Sequence, residues 1–295
     1  MKIYTIFSLL CFLLWGISDL FYKKANNKED YYSDLKTTVV VGIVMGIYAT
    51  CYMIYNEINI IKYLLDVLKY LPVSFCYILS MYIGYKGLKY IELSISSPIQ
   101  NTSGVITSLL LVIFFKEKLP FMAYVSFLLI FIGVFCVSIL EKKDKRVINY
   151  KKINILAIIL PIIYCIIDGM GTFLDSLYLD KFGIISEDIA LISYEYTFLI
   201  VALICMIFLN RKNERIKLKK NSDMWLAALF ETLGQFFYVF AMGADSTINA
   251  SIVGSYCIMS MFLSSVFLKE KLSFSKYIFL FIAIIGIVML AFMDL

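Results

Sequence analysis

The sequence predicts an all-α integral membrane protein with ten transmembrane helices, arranged as two inverted five-helix repeats. Three observations lead to this fold class: the composition, ten long apolar segments and a sequence unit that occurs twice. Of the 295 residues, 61% are hydrophobic, and the mean hydropathy is +0.85. Because the apolar share of soluble proteins is nearer roughly 45–50%, this composition excludes a soluble globular protein.

Ten apolar segments are each close to the length that crosses a bilayer as a helix, about 20 residues. They are continuous, whereas the strands of a membrane barrel alternate and are about half as long. The first segment is too long for a secretory signal and is followed by polar residues, so we expect it to be the first transmembrane helix. The predicted helices span residues 3–22, 37–55, 70–88, 93–115, 121–140, 154–177, 187–209, 223–242, 247–268 and 274–293.

A short motif marks the duplication. Lys116-Glu117-Lys118-Leu119 recurs as Lys269-Glu270-Lys271-Leu272, and the second copy begins 153 residues after the first. The same offset aligns pairs along the chain: Gly16 with Gly169, Tyr85 with Tyr238, Glu92 with Asp245, and Gly133 with Gly286.

The repeat also predicts the domain organisation. We expect a first five-helix unit over residues 1–140, a basic linker over 141–153 and a second unit over 154–295. Five is an odd number of crossings, so the second unit must enter the membrane from the opposite side. Inverted repeats of this kind are typical of secondary transporters.

Several kinds of chemistry are excluded by what the chain lacks. It has no histidine, and its seven cysteines lie in apolar segments without a C-x-x-C pair. We therefore expect no metal site, no cofactor and no catalytic residues, hence no enzyme. The chain also lacks a G-x-x-x-x-G-K-[ST] phosphate loop, which argues against a nucleotide-driven pump.

Charge distribution predicts topology. The net charge of +5 resides in the loops, so it indicates orientation and not nucleic-acid binding. Of the 27 Lys and Arg, 21 fall in loops on one side, which places those loops in the cytoplasm and both termini outside. Gly42 and Gly46 form a G-x-x-x-G motif that serves either dimer contact or packing within the chain, so monomer and homodimer both stay open.

Four motifs together resemble the EamA-type members of the drug/metabolite transporter (DMT) superfamily. They are Trp15-Gly16 followed by Lys23-Lys24, the segment from Tyr85 to Tyr90, the Lys-Glu-Lys-Leu turn and the Gly133 helix, and the second half repeats the pattern. The resemblance implies a ten-helix transporter of metabolites, amino acids or drugs, usually an exporter. It also implies cytoplasmic termini, in conflict with the charge distribution. The proline that the family carries late in helix 4 is replaced here by Gly104 and Cys257.

Acidic residues inside the apolar segments are the main functional candidates, because each costs about 2.5–3.5 kcal/mol on insertion scales and needs a partner or a role. Asp168 aligns with the essential first-helix carboxylate of the small multidrug-resistance relatives, and Trp15 is its repeat mate. Glu231 and Gln235 share one helix face. For Asp19 we expect a local pair with Lys23, and for Asp175 a position at the membrane interface.

The remaining candidates have two interpretations each. The polar cluster of helix 4 serves either packing or substrate contact. Lys86, beside Tyr82, either reaches the headgroups or pairs with a substrate carboxylate. The predicted substrate- or proton-binding residues are Asp168, Glu231, Gln235, Gln100, Asn101, Trp15, Tyr82, Lys86 and Glu195.

We therefore expect a secondary transporter of small organic solutes such as amino acids, amines or drugs, an exporter or exchanger that works by alternating access. It would lie in the plasma or inner membrane, use protons or another ion for coupling, and bind no nucleic acid. The excess of buried acids over Lys86 favours a cationic or zwitterionic solute. Two alternatives stay open: a non-transporting membrane sensor or scaffold, and an importer of sugars or related metabolites.

Overall fold

The computed structural model describes residues 3–26, 29–90, 93–100, 102–116, 118–143, 155–216, 221–270 and 273–293. Within these ranges the regular structure is helical. The first half contains α1 (Ile3–Ala25), α2 (Ser33–Tyr55), a 3-10 turn (Ile60–Tyr63), α3 (Leu64–Leu88), α4 (Leu93–Gln100), α5 (Thr102–Phe115) and α6 (Phe121–Lys143). The second half contains α7 (Ile155–Ser176), a π turn (Leu177–Lys181), α8 (Glu187–Arg211), α9 (Ser222–Ala244), α10 (Ser246–Val253), α11 (Cys257–Phe267) and α12 (Phe274–Met293).

Length and composition make this a multi-pass membrane protein. Among the described residues, seven helical segments are long and apolar enough to cross a bilayer: Ile3–Ala25, Ser33–Tyr55, Ile60–Leu88, Ile159–Lys181, Glu187–Arg211, Ser222–Ala244 and Ser246–Phe267. Three shorter apolar stretches follow the same pattern: Thr102–Phe115, Phe121–Gly133 and Phe274–Leu290. Large apolar side chains such as Ile113 and Phe281 are exposed, as lipid-facing residues are.

Helices of the first half pack mainly against helices of the second. The main contacts join α1 with α9, α2 with α8, α3 with α7, α4 with α11, α5 with α10, and α6 with α12. Exchanging the two halves maps this pattern of contacts onto itself. The interior of the bundle therefore lies between the halves, and residues from both halves meet there.

The backbone repeats at the Lys-Glu-Lys-Leu turns. Lys116 and Lys269, the first residues of the two copies, have φ values of +52° and +56°. Both residues therefore adopt the left-handed conformation that is uncommon for residues other than glycine. Two helix contacts are related by the same offset: Gly133 lies against Ala283, and Gly286 lies against Ile130.

The G-x-x-x-G motif of α2 packs within the chain. A Cβ atom at Gly42 would lie 2.4 Å from the Cβ of Ala202 in α8, and one at Gly46 would lie 2.6 Å from the Leu199 side chain. These distances are shorter than van der Waals contact, so α2 and α8 approach as closely as they do because both positions lack a side chain.

Two buried lysines, Lys36 and Lys89, lie at helix ends with acidic partners. Lys36 bonds Asp30 at 2.8 Å and Glu214 at 2.7 Å. Lys89 bonds Asp34 at the same end of the bundle, and both side chains are buried. Because these partners neutralise one another, the charge at this end of the bundle is locally compensated.

Candidate functional site

A cavity lies between the two halves, lined by residues of α1, α3, α5, α7, α8, α9 and α10 and of the turn that joins α10 to α11. Centres of water-sized molecules have about 40 Å³ available. One water needs roughly 10–15 Å³ on this measure, so this conformation admits only a few waters. Larger solutes require helices to move apart.

Asp168 of α7 forms part of the cavity wall. Ser103 of α5 donates a 2.8 Å hydrogen bond to its Oδ2, and Ser80 of α3 lies 3.3 Å from its Oδ1. Both serines come from the first half, while Asp168 belongs to the second. The carboxyl is therefore held by hydroxyl groups across the boundary between the halves.

Glu231 of α9 is the second acid in the cavity wall, and it is 3% exposed. Tyr77 of α3 donates a 2.6 Å hydrogen bond to Oε1, and Ser18 of α1 lies 3.1 Å from Oε2. The indole of Trp15 donates to the backbone carbonyl of Glu231 at 3.3 Å. Groups of the first half again hold an acid of the second.

The serine hydroxyls beside Asp168 and Glu231 are compatible with a proton on each carboxyl. Ser18 Oγ is 2.9 Å from the carbonyl oxygen of Ala227, and Ser80 Oγ is 2.8 Å from that of Tyr77. A serine hydroxyl has one hydrogen and also accepts. When that hydrogen goes to the backbone carbonyl, the serine oxygen can accept from a protonated carboxyl. The geometry at Asp168 and Glu231 thus fits neutral acids.

Aromatic side chains make up much of the remaining wall. The Trp15 ring lies 5.1 Å from the ring of Tyr238 and 5.6 Å from that of Tyr256. None of the lining residues that the structure describes is basic. Two acids beside aromatic faces form a site suited to an organic cation. The aromatic lining residues are Trp15, Tyr77, Tyr164, Tyr194, Tyr238 and Tyr256.

One wall of the cavity is a helix interruption. Helix α10 ends at Val253 and α11 begins at Cys257, and Gly254 and Tyr256 in the intervening turn line the cavity. Interrupted helices near the middle of the membrane are typical of transporter substrate sites, because backbone freed from the helix is tolerated where it lines a cavity.

Comparison with known families decides the assignment. The sequence profile of the EamA-like transporter family matches residues 2–139 and matches again over residues 155–292. The chain belongs to the EamA-like transporter family. The resemblance drawn from Trp15-Gly16, the Lys-Glu-Lys-Leu turns and the Gly133 helix is thereby confirmed. Members are membrane transporters of the DMT type, not enzymes.

The chain is similar in fold to a protein of known crystal structure. It aligns with a TM-score of 0.69 and 13% sequence identity, covering 98% of this chain and 97% of the other. At this identity the match concerns the fold alone. No curated protein matches the sequence.

Three of the predicted site residues of this EamA-like transporter line the cavity: Trp15, Asp168 and Glu231. Gln100, Glu195 and Gln235 are buried in the helix packing outside it. Tyr82 is half-buried and Lys86 is exposed, both toward the end of α3. Asn101 lies outside the described residues.

Two expectations about acids were wrong. Asp19 does not pair with Lys23 of its own helix. It accepts hydrogen bonds from Ser97 at 2.8 Å and Ser260 at 2.7 Å. Lys23 donates to the carbonyl of Leu88. Asp175 does not reach the interface; its side chain is fully buried, because the helix continues through the π turn Leu177–Lys181.

Sequence reasoning missed the tyrosines of the cavity wall. A chain with 22 tyrosines gives little reason to select particular ones. One usable signal was the spacing of Tyr70 and Tyr77 in α3, which are seven residues apart and so share a face. Of these two, Tyr77 lines the cavity. In α8, the sequence pattern favoured Glu195, whereas its neighbour Tyr194 lines the cavity.

Proposed function

We propose that this EamA-like chain is a secondary transporter of small organic cations or zwitterions, such as amines or amino acids. One observation carries the proposal: the cavity between the halves presents Asp168, Glu231 and six aromatic side chains, with no basic residue among its described lining. Carboxylates supply charge complementary to an ammonium group, and aromatic faces attract cations further once water is excluded.

The proposed architecture is ten transmembrane helices in two inverted units, residues 1–140 and 154–295, joined by the linker 141–153. The two family matches, over 2–139 and 155–292, support this division. The paired left-handed lysines Lys116 and Lys269 support it as well. So does the packing of each half on the other, which is unchanged when the halves are exchanged.

Transport would proceed by alternating access. The cavity lies between two units that can rock against each other, so it would open to either side of the membrane in turn. The small volume of the cavity corresponds to a closed conformation. We propose export or exchange of the solute across the plasma or inner membrane as the direction and place of transport.

Protons would be the coupling ions. Ser18 and Ser80 are positioned to accept hydrogen bonds from protonated Glu231 and Asp168. When a cation enters, the O–H bond of a carboxyl breaks and its electron pair stays on the oxygen. The proton leaves to water, and the carboxylate pairs with the cation. Cation and proton would thus compete for the same two acids and be exchanged across the membrane.

Counterflow in proteoliposomes tests the proposal. The probes are labelled tyramine as a cation, labelled tyrosine as a zwitterion and labelled glucose as a neutral solute, with tyrosol as the neutral competitor shaped like tyramine. We expect saturable tyramine or tyrosine counterflow that tyrosol does not inhibit, and tyramine accumulation when the lumen is more acidic than the bath. Glucose flux without tyramine or tyrosine flux, from folded protein, would refute the proposal.

A further inference from the structure

Asp175 is a buried acid outside the cavity lining that the proposed transport step does not use. It follows Asp168 by seven residues on α7, so the two lie on the same helix face roughly 10 Å apart along the axis. Gly171 and Thr172, which lie between them, line the cavity. Asp175 therefore continues the polar stripe of the cavity toward the bundle end where α1 begins and α9 ends.

Three tyrosines from three other helices surround this acid. Tyr70 of α3 donates a hydrogen bond to Oδ1. The hydroxyls of Tyr194 in α8 and Tyr238 in α9 face the same carboxyl. Oδ2 is buried and has no hydrogen-bond partner among the described residues. The rings of Tyr70 and Tyr194 pack edge to face, with their centroids 5.2 Å apart. This contact holds the two phenols in position around the carboxyl.

Among the residues that the structure describes, no basic side chain faces Asp175 to balance the charge of its carboxylate. The titratable groups that face Asp175 are Tyr70, Tyr194 and Tyr238. The acids of its own helix are Asp168, before it, and Asp180, in the π turn after it. The basic residue that ends this helix, Lys181, bonds Asp180 at 2.8 Å. An unpaired charge in such surroundings costs more free energy than a protonated carboxyl does.

We propose that Asp175, with Tyr70, Tyr194 and Tyr238, forms a second proton-binding site outside the substrate cavity. The proton sits on Oδ2 and leaves to water when the bundle opens at the end where α1 begins. Its O–H bond breaks, the electron pair remains on Oδ2, and the carboxylate then takes up hydrogen bonds from the phenols.

Tyr194 and Tyr238 connect this site to the cavity, because they line the cavity and their hydroxyls face Asp175. Rearrangement of these phenols around a deprotonated Asp175 would change the cavity wall. Proton release at Asp175 and access of the cation would then be linked. This linkage rests on the proposed cation transport, whereas proton binding at Asp175 does not.

The experiment has two arms, on lipid-reconstituted wild type, Asp175→Asn, Tyr70→Phe and Asp66→Asn. Asp66 is the control, since it forms a surface pair with Lys69 on α3. Infrared difference spectra against pH report protonated carboxyl groups directly. Tyramine counterflow at equal pH and accumulation under a pH gradient report exchange and coupling separately.

We expect Asp175→Asn to lose one pH-dependent carboxyl band that wild type and Asp66→Asn keep. Tyr70→Phe should keep the band but shift the pH at which it disappears. Counterflow should survive in Asp175→Asn, while gradient-driven accumulation should fall about tenfold for each unit of the pH gradient, because one proton fewer is exchanged per cation.

Infrared titrations of Asp175→Asn and Tyr70→Phe that match wild type would overturn the second site. If Asp175→Asn does not fold, Tyr70→Phe decides alone: a shifted band supports the site and an unchanged band overturns it. If wild type carries no cation at all, the proposed function fails, and the infrared arm still decides whether Asp175 binds a proton.

Discussion

Tyr77 donates a 2.6 Å hydrogen bond to Glu231, so a phenol of the first half holds a carboxyl of the second half in the cavity wall. Movement of one half against the other would stretch or break this bond. The strength with which Glu231 holds a proton would then depend on the conformation of the bundle. This is the property that coupling requires, because proton uptake and release must occur in different states.

Replacing Glu231 with Gln should weaken tyramine binding about ten- to hundredfold, the effect of losing a charge-assisted contact worth roughly 1.5–3 kcal/mol. Gln keeps the size and hydrogen-bonding ability of the side chain, so the change isolates the charge. Tyr77→Phe should cost less, about two- to tenfold, because a neutral donor is lost. Calorimetric titration measures both. Tyr55→Phe, at an exposed tyrosine, is the matched control and should bind as wild type does.

Asp168→Asn should flatten the pH dependence of tyramine binding. In wild type we expect affinity to fall as pH falls, because protons occupy the carboxyls that the cation needs. Removing one of the two carboxyls removes part of that competition. Dissociation constants measured from acidic to alkaline pH test this, with Asp66→Asn as the control on the protein surface. A wild-type affinity that does not change with pH would speak against competition at Asp168.

The sequence identified the acids inside the apolar segments, but it did not show which of them face the cavity. Asp168 and Glu231 were found because acids in apolar segments are rare and costly. Glu195 was selected by the same reasoning, yet Tyr194, about 100° around the helix, faces the cavity. In a segment that is apolar on all sides, periodicity does not show which face meets the other half.

Hydrogen-bond partners that come from distant helices could not be predicted from the sequence either. Lys23 is four residues from Asp19, so spacing suggested a local pair. The actual partners, Ser97 and Ser260, are brought there by the packing of α4 and α11, which sequence spacing does not encode. For Asp175, the boundary of α7 was the difficulty, since the π turn after Ser176 extends the helix beyond the apolar segment.

Gly42→Leu should lower the unfolding temperature of the purified protein, because a side chain at this position would collide with Ala202 of α8. Overpacking of this kind typically costs about 1–3 kcal/mol. Cys51→Leu adds a side chain of the same type at an exposed position of the same helix and should leave the unfolding temperature almost unchanged. Equal stability of Gly42→Leu and wild type would mean that α2 and α8 do not approach as described.

Single cysteines at Tyr31 and Ile61 should label from opposite sides of the membrane. Both positions are highly exposed, at 79% and 80%, and they lie before and after the crossing made by α2. The experiment uses a variant whose seven natural cysteines are replaced, with a membrane-impermeant maleimide applied to intact cells. The side on which Tyr31→Cys reacts also decides between the orientation expected from basic loops and that implied by the family. Reaction of both positions from one side would contradict the proposed crossings.

Proton release on cation binding tests the central claim most directly. Tyramine is added to purified protein in weakly buffered solution at a pH where the acids are protonated, and the change in pH is recorded. The account predicts that wild type releases protons in proportion to the tyramine bound, and that Asp168→Asn combined with Glu231→Gln releases none. Tyramine binding to wild type without proton release would contradict competition between cation and proton for these two carboxyls.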